Sequence, residues 1–151
     1  MSYVWSPACK FSTWRKLWLA LATGEKELGI SITDAQISEM EAKIFDIDFG
    51  KAAEYEAKFR HDVMGHVHAF GDVAPAAMPI LHLGATSCYI GDNADCVQLK
   101  KGLELVRRKI AKCVDILRKV RGGPSLRSSS HAACSCGVCR VVASLLSSCD
   151  L

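Results

Sequence analysis

Apolar residues recur at helical spacing from the start of the chain: Trp14, Leu17, Trp18, Leu21 and Leu28 fall on one face. The pattern predicts a first helix that starts after Ser12, a suitable N-cap, and stops at Gly29, which adopts the left-handed conformation without strain. Thr33-Asp34-Ala35-Gln36 has the spacing of a capping box, and the helix it opens carries Ile37, Met40 and Ile44 on one side. Asp48 is placed to cap a third helix from about Phe49 to Phe70, with Ala53, Phe59, Val63 and Val67 among its apolar positions and Gly71 as its stop. Pro75, Pro79, Gly84 and Gly91 argue against one helix across Val73 to Ile90. A short helical turn near Ala76-Ala77 and a loop through Gly84-Ala85-Thr86-Ser87 are expected instead. Asp92 or Asn93 then caps a long helix reaching about Val120, striped by Leu99, Leu103, Val106, Ile110, Cys113, Val114 and Leu117.

A helix of that length with so wide a stripe belongs in a bundle, and the rest of the chain does not supply one. After Arg121, Gly122-Gly123-Pro124 opens a Ser- and Cys-rich stretch without aromatics, in which Asp150 is the single acidic residue. The expected fold class is therefore all-α. A small helical amino-terminal domain occupies residues 1–91, and the first long helix of a truncated helical-bundle domain occupies 92–120. Residues 121–151 form an unrelated, disordered tail. A stripe left open along Leu99, Leu103, Val106, Ile110 and Leu117 also predicts marginal stability.

Composition changes this picture little. The 151 residues suffice for one compact core. With 50% hydrophobic and 23% charged residues and a net charge of +3, they have the balance of a soluble protein. Lys and Arg are interleaved with Asp and Glu and form no basic run, which argues against nucleic acid as a partner. Leu17-Trp18-Leu19-Ala20-Leu21-Ala22, behind Lys10, Arg15 and Lys16, imitates a signal peptide but is too short for one. No apolar run approaches the roughly 20 residues of a membrane span. A cytoplasmic protein without a membrane partner is expected.

Cys9, Cys88, Cys96 and Cys113 are scattered singly, whereas Cys134, Cys136, Cys139 and Cys149 crowd the tail. Without a signal peptide a disulfide framework is not expected. His131, Cys134, Cys136 and Cys139 offer enough soft ligands for zinc, yet so tight a spacing favours an unstructured tail over a tetrahedral site.

Two constellations could carry chemistry. Arg60-His61-Asp62-Val63-Met64-Gly65-His66-Val67-His68 gathers a cation, an imidazole and a carboxylate near a helix end. On helical spacing His61 and His68 share a face with Met64 and Gly65. No two of these histidines stand at i, i+4, so a zinc helix is not expected. In His82-Leu83-Gly84-Ala85-Thr86-Ser87, adjacent hydroxyls on a Gly-flanked loop can donate to a carboxylate or phosphate, and a nearby arginine would complete an anion site. Each constellation alone is also ordinary helix-end or turn chemistry.

In order along the chain, Phe11-Ser12-Thr13-Trp14-Arg15-Lys16-Leu17-Trp18, Ile32-Thr33-Asp34, Arg60-His61-Asp62-Val63-Met64 and His82-Leu83-Gly84-Ala85-Thr86-Ser87-Cys88-Tyr89 resemble the amino-terminal region of the eukaryotic-type adenylosuccinate lyase family, within the fumarase/aspartase superfamily. The resemblance covers about Lys10 to Lys119. It implies cleavage of adenylosuccinate to AMP and fumarate, and of succinyl-aminoimidazole-carboxamide ribotide, by β-elimination in purine synthesis. It implies no metal or organic cofactor, a small-molecule nucleotide substrate and a homotetrameric family assembly. It also implies substrate contacts for Arg60, His61, Asp62, Thr86 and Ser87, with Arg60 on anionic groups and His61 as a donor that supports the general acid. The family's early Arg-Tyr pair has Ser2-Tyr3 as its nearest counterpart, which leaves Tyr3 as a weak substrate-binding match. The segment between Ser6-Pro7 and Lys10 looks shortened. The Thr-His segment with the family's catalytic histidine and the loop with its catalytic serine have no counterpart here. These 151 residues are therefore expected to be an inactive fragment. The alternatives are a non-catalytic module that docks into a full-length lyase and a protein that binds metal through its Cys-rich tail.

Overall fold

The computed structural model describes residues 2–122. The Ser/Cys-rich stretch, with the zinc ligands considered for it, lies outside the described residues. The described residues are all-α and include no strand: helices α1 (Pro7–Glu27), α2 (Asp34–Ala42), α3 (Phe49–Phe59), α4 (Asp62–Val73) and α5 (Ser87–Gly122), with a 3-10 turn at Met78–Ile80. No helix among them is long and apolar enough to cross a membrane. The chain divides into two compact units, Met1–Gly102 and Leu103–Leu151.

Helix α1 begins before the expected Ser12. Ser6 is the cap, its Oγ accepting the Cys9 N–H at 3.2 Å, and Pro7 occupies the first helical position, where a missing N–H costs nothing. Ser12 is instead buried within the helix, its hydroxyl donating to the Cys9 carbonyl. The helix ends at Glu27, and Gly29 follows at φ 93°. Thr33 and Gln36 form the expected capping box at the start of α2, and Asp48 caps α3 through the Lys51 N–H.

The expected single helix from Phe49 to Phe70 is two helices. Arg60 terminates α3 in the left-handed conformation, and His61, in extended conformation, caps α4. His61 is thus outside the helix and does not share a helical face with His68. The close approach of α3 and α4 explains the break. Gly65 packs against the α3 backbone, where a Cβ would lie 2.8 Å from the Glu56 nitrogen and 3.0 Å from the Ala52 oxygen. Helices this close in space and this near in sequence need a sharp reversal between them.

Trp14 and Trp18 of α1, Met40 of α2, Val63, Val67 and Phe70 of α4, Ile80 and Leu81, and Ile90 and Ala94 of α5 form one buried cluster. Arg15 lies among them, 2% exposed. Its Nη1 donates to the carbonyls of Lys43 and Asp46, which sit just past the end of α2, and its guanidinium lies 4.4 Å from the Phe70 ring centroid. Burial pushes its pKa down to about 10, against the pull of Asp46, so the cation persists at neutral pH.

Helix α5 starts at Ser87 and not at Asp92 or Asn93, because Gly91 is carried inside the helix. Asn93 is no cap: its side chain donates back to the Tyr89 carbonyl at 2.7 Å. The buried Gln98 donates to the Val4 carbonyl at 2.7 Å, and the Trp5 indole rests on Gly102. In the second unit the described residues are the rest of α5, where Asp115 pairs with Arg118 and Lys119 on the surface. Leu99, Leu103, Val106, Ile110, Ile116 and Leu117 are all exposed, Leu103 at 67%.

Candidate functional site

The corner between α3 and α4 places three polar side chains side by side. Arg60, at φ 53° and ψ 36°, donates its N–H to the Glu56 carbonyl at 2.7 Å. A left-handed conformation costs a residue with a Cβ about 1–2 kcal/mol relative to the right-handed one, so the fold holds Arg60 there against its local preference. Nδ1 of His61 accepts the Met64 N–H at 3.4 Å, a long capping bond. In the neutral ring that leaves the proton on Nε2, which remains as a donor. Protonation of Nδ1 would exchange this bond for a pairing with Asp62, whose Oδ1 is 3.6 Å away. Asp62 is the first residue of α4, where a carboxylate is favoured by the unpaired N–H groups, and it accepts the Val63 N–H at 2.7 Å.

The second segment comes from the loop before α5. His82 and Gly84 both have positive φ, 61° and 63°. These two reversals bring the chain to Thr86, whose carbonyl accepts the Tyr89 N–H, and to Ser87, the first residue of α5. The start of a long helix adds unpaired N–H donors beside the Ser87 hydroxyl.

The two segments meet. Arg60, His61, Asp62 and Ser87, with Ala53, Glu56 and Ala57 of α3, line one open cavity of about 760 Å³. That volume lies within the range typical of small-molecule sites. Its lining offers a guanidinium, an imidazole and a hydroxyl together with the carboxylates of Glu56 and Asp62. The arrangement suits a ligand that carries both an anionic group and hydrogen-bond donors. Thr86 adjoins Ser87 but is not a lining residue. Tyr3 is not one either: it lies in the amino-terminal turn, 63% exposed, with its carbonyl accepting from Ser6.

The loop pattern assigns His82 no role of its own, and the structure gives it one. Its Nδ1 accepts the indole N–H of Trp18 at 3.1 Å, with the two rings edge to face. Burial, and then the neighbouring His61, push its pKa below the ordinary imidazole value. The sequence signal was present but nonlocal, since Trp18 and His82 are brought together only by the fold. His66 and His68 have other surroundings. His66 is buried and stacked on Phe11 at 3.8 Å, and His68 stacks on Phe59 at 4.5 Å.

Comparison with known proteins identifies the sequence around this site. The chain is 53% identical over 110 residues to adenylosuccinate lyase of Schistosoma mansoni, 47% over 122 residues to that of Saccharomyces cerevisiae and 44% over 123 residues to that of Schizosaccharomyces pombe. The matches cover 73%, 79% and 80% of this chain. No family model matches it. The chain spans about a quarter of the length of these curated relatives, 23–25%. Over the matched residues, which make up 73–80% of its length, this chain is similar to one part of the adenylosuccinate lyases.

Proposed function

We propose that the cavity at the α3–α4 corner is the substrate-binding part of an adenylosuccinate lyase site. The observation that carries the reading is that Arg60, His61 and Asp62 line one cavity with Ser87, from a distant segment. Arg60 binds an anionic group of the substrate by charge-assisted hydrogen bonds. Nε2 of His61 donates to the substrate, and Asp62 stands ready to stabilise the imidazolium. Ser87, with Thr86 behind it, donates to a second anionic group at the start of α5. Tyr3 is at most a peripheral contact.

The reaction of the complete enzyme removes a proton from the carbon beside a succinyl carboxylate, breaks the C–N bond and protonates the leaving nitrogen. That requires one base and one acid, each worth roughly 10²–10⁴-fold in rate. These 151 residues hold His61 as a supporting donor and no segment that matches either family group. The reading is therefore binding without turnover by these residues alone, in the setting of cytosolic purine synthesis. Titration of the chain with AMP, followed by amide chemical shifts, tests the first half. Responses are expected at Arg60, His61 and Ser87 and should be lost in Arg60→Ala. Shifts scattered elsewhere, or none at millimolar AMP, would refute the site. Fumarate release from adenylosuccinate at an enzyme-like rate would refute the second half.

The exposed apolar residues of α5 favour a second role beside the first, as an assembly face of the kind that a homotetrameric bundle needs. Sedimentation should then show self-association, or capture by a co-expressed full-length lyase. A concentration-independent monomer that fails to co-purify with the lyase would exclude it.

A further inference from the structure

Trp18 is 1% exposed, yet its one polar atom is not idle. The indole N–H is a donor only, so the ring nitrogen it meets has to be an acceptor. That nitrogen is Nδ1 of His82, at 3.1 Å, on a ring held edge to face at a centroid distance of 6.2 Å. His82 itself sits at φ 61°, a conformation that a histidine adopts at a cost, at the head of the loop that leads to Thr86-Ser87. A core side chain thus dictates the state of a loop imidazole.

We propose that Trp18 is a positioning residue which locks His82 as its Nε2–H tautomer, so that the loop before Ser87 presents a single fixed N–H donor to the bound ligand. This rests on the site reading above and adds to it Trp18 and, through it, His82, which lies next to the lining residue His61 without itself being among the residues that line the cavity. Burial and His61 act in the same direction as the indole, since all three disfavour the imidazolium. Trp18 would be held in place by its own packing, edge to face with Trp14 at 6.3 Å and against Phe70 at 6.1 Å. The lock therefore needs no ligand to form.

The test uses the ¹⁵N-labelled 151-residue chain and reads the imidazole nitrogens of His82 directly. In the wild-type chain near neutral pH, Nδ1 should resonate as an unprotonated acceptor and Nε2 as a protonated nitrogen. A protonated Nδ1, or averaged shifts of two tautomers, would overturn the proposal without any variant being made. In Trp18→Phe, mixed tautomers, a higher pH of protonation and AMP binding weakened about 10-fold are expected, as for one lost hydrogen bond. A Trp18→Phe chain that folds and keeps the wild-type tautomer would also overturn it. Should that chain not fold, His82→Ala provides the reciprocal reading: the Trp18 indole proton should exchange faster with solvent, and unchanged exchange counts against the lock. A locked His82 with no AMP response at Arg60 or Ser87 would sink the site reading and leave the lock standing. An AMP response with a mixed tautomer would do the reverse.

Discussion

Gly65→Ala puts the α3–α4 contact under a defined strain. The added Cβ would lie 2.8 Å from the Glu56 nitrogen, 3.0 Å from the Ala52 oxygen and 3.1 Å from the Glu56 Cα, all of them backbone atoms that no rotamer change can move. Ordinary contact begins at 3.4 Å, so α3 has to retreat bodily by roughly half an ångström. Overpacking of this kind costs about 1–3 kcal/mol. The gain in helix propensity from Gly to Ala offsets about 1 kcal/mol of it. Gly24→Ala supplies the matched control, because it lies in α1 with nothing within 4 Å of its Cβ and should gain the propensity term alone. The difference between the two variants isolates the clash at about 1–3 kcal/mol. Urea unfolding followed by the fluorescence of Trp14 and Trp18 measures both on the same scale. Because Arg60 ends the displaced helix, AMP binding should weaken in Gly65→Ala and not in Gly24→Ala. A Gly65→Ala chain as stable as Gly24→Ala would refute the close packing, and with it the reason given for the break at Arg60.

Arg60→Gly should separate stability from binding: relief of the left-handed strain stabilises the chain by about 0.5–1 kcal/mol while AMP binding is lost, and a destabilised variant would contradict the strain. His66, pushed by burial and then by Arg15 to a pKa of about 4, takes a proton in the unfolded chain near pH 6.5 but not in the folded one. The unfolded state then binds more protons, so stability is full above about pH 6.5 and falls by up to about 1.4 kcal/mol per pH unit between there and pH 4. His66→Gln should flatten that part of a urea-midpoint profile, and an unchanged slope would assign the loss to other groups. Thr33→Ala removes the reciprocal cap of α2 and should lower stability by about 1 kcal/mol in the same assay; no change would mean that the Gln36 contact to the Ala76 carbonyl holds the helix start unaided.

What the sequence made legible was local. The capping box at Thr33 and Gln36 and the cap at Asp48 are side chains that satisfy N–H groups three residues away, and both stand where the spacing predicts. The start of α1 was equally readable, since Ser6-Pro7 is a cap followed by a helix-compatible proline; the apolar stripe from Trp14 drew the start too late. The break at Arg60 was not readable. Lys58-Phe59-Arg60-His61 contains neither Gly nor Pro, and the turn is imposed by the packing of Gly65 on α3. For the site, the family resemblance named Arg60 to Asp62, Thr86 and Ser87, with Tyr3 as a weak match, but that Arg60 to Asp62 and Ser87 line a common cavity while Thr86 and Tyr3 do not, and that His82 answers to Trp18, are facts of tertiary structure. The buried Arg15 belongs with them, because its partners are carbonyls far along the chain.

The bond between Gln98 and Val4 joins residues 94 positions apart, and Trp5 settles on Gly102 beside it. During synthesis Val4 and Trp5 therefore have no partner until the α5 residues that receive them have followed. Synthesis and assembly run in opposite orders at this seam: Val4 and Trp5 are made well before the residues that fasten them. Closing so long a loop comes at an entropic cost that nearer contacts avoid, and Trp5 and Val4 stay exposed to chaperones and proteases throughout that interval.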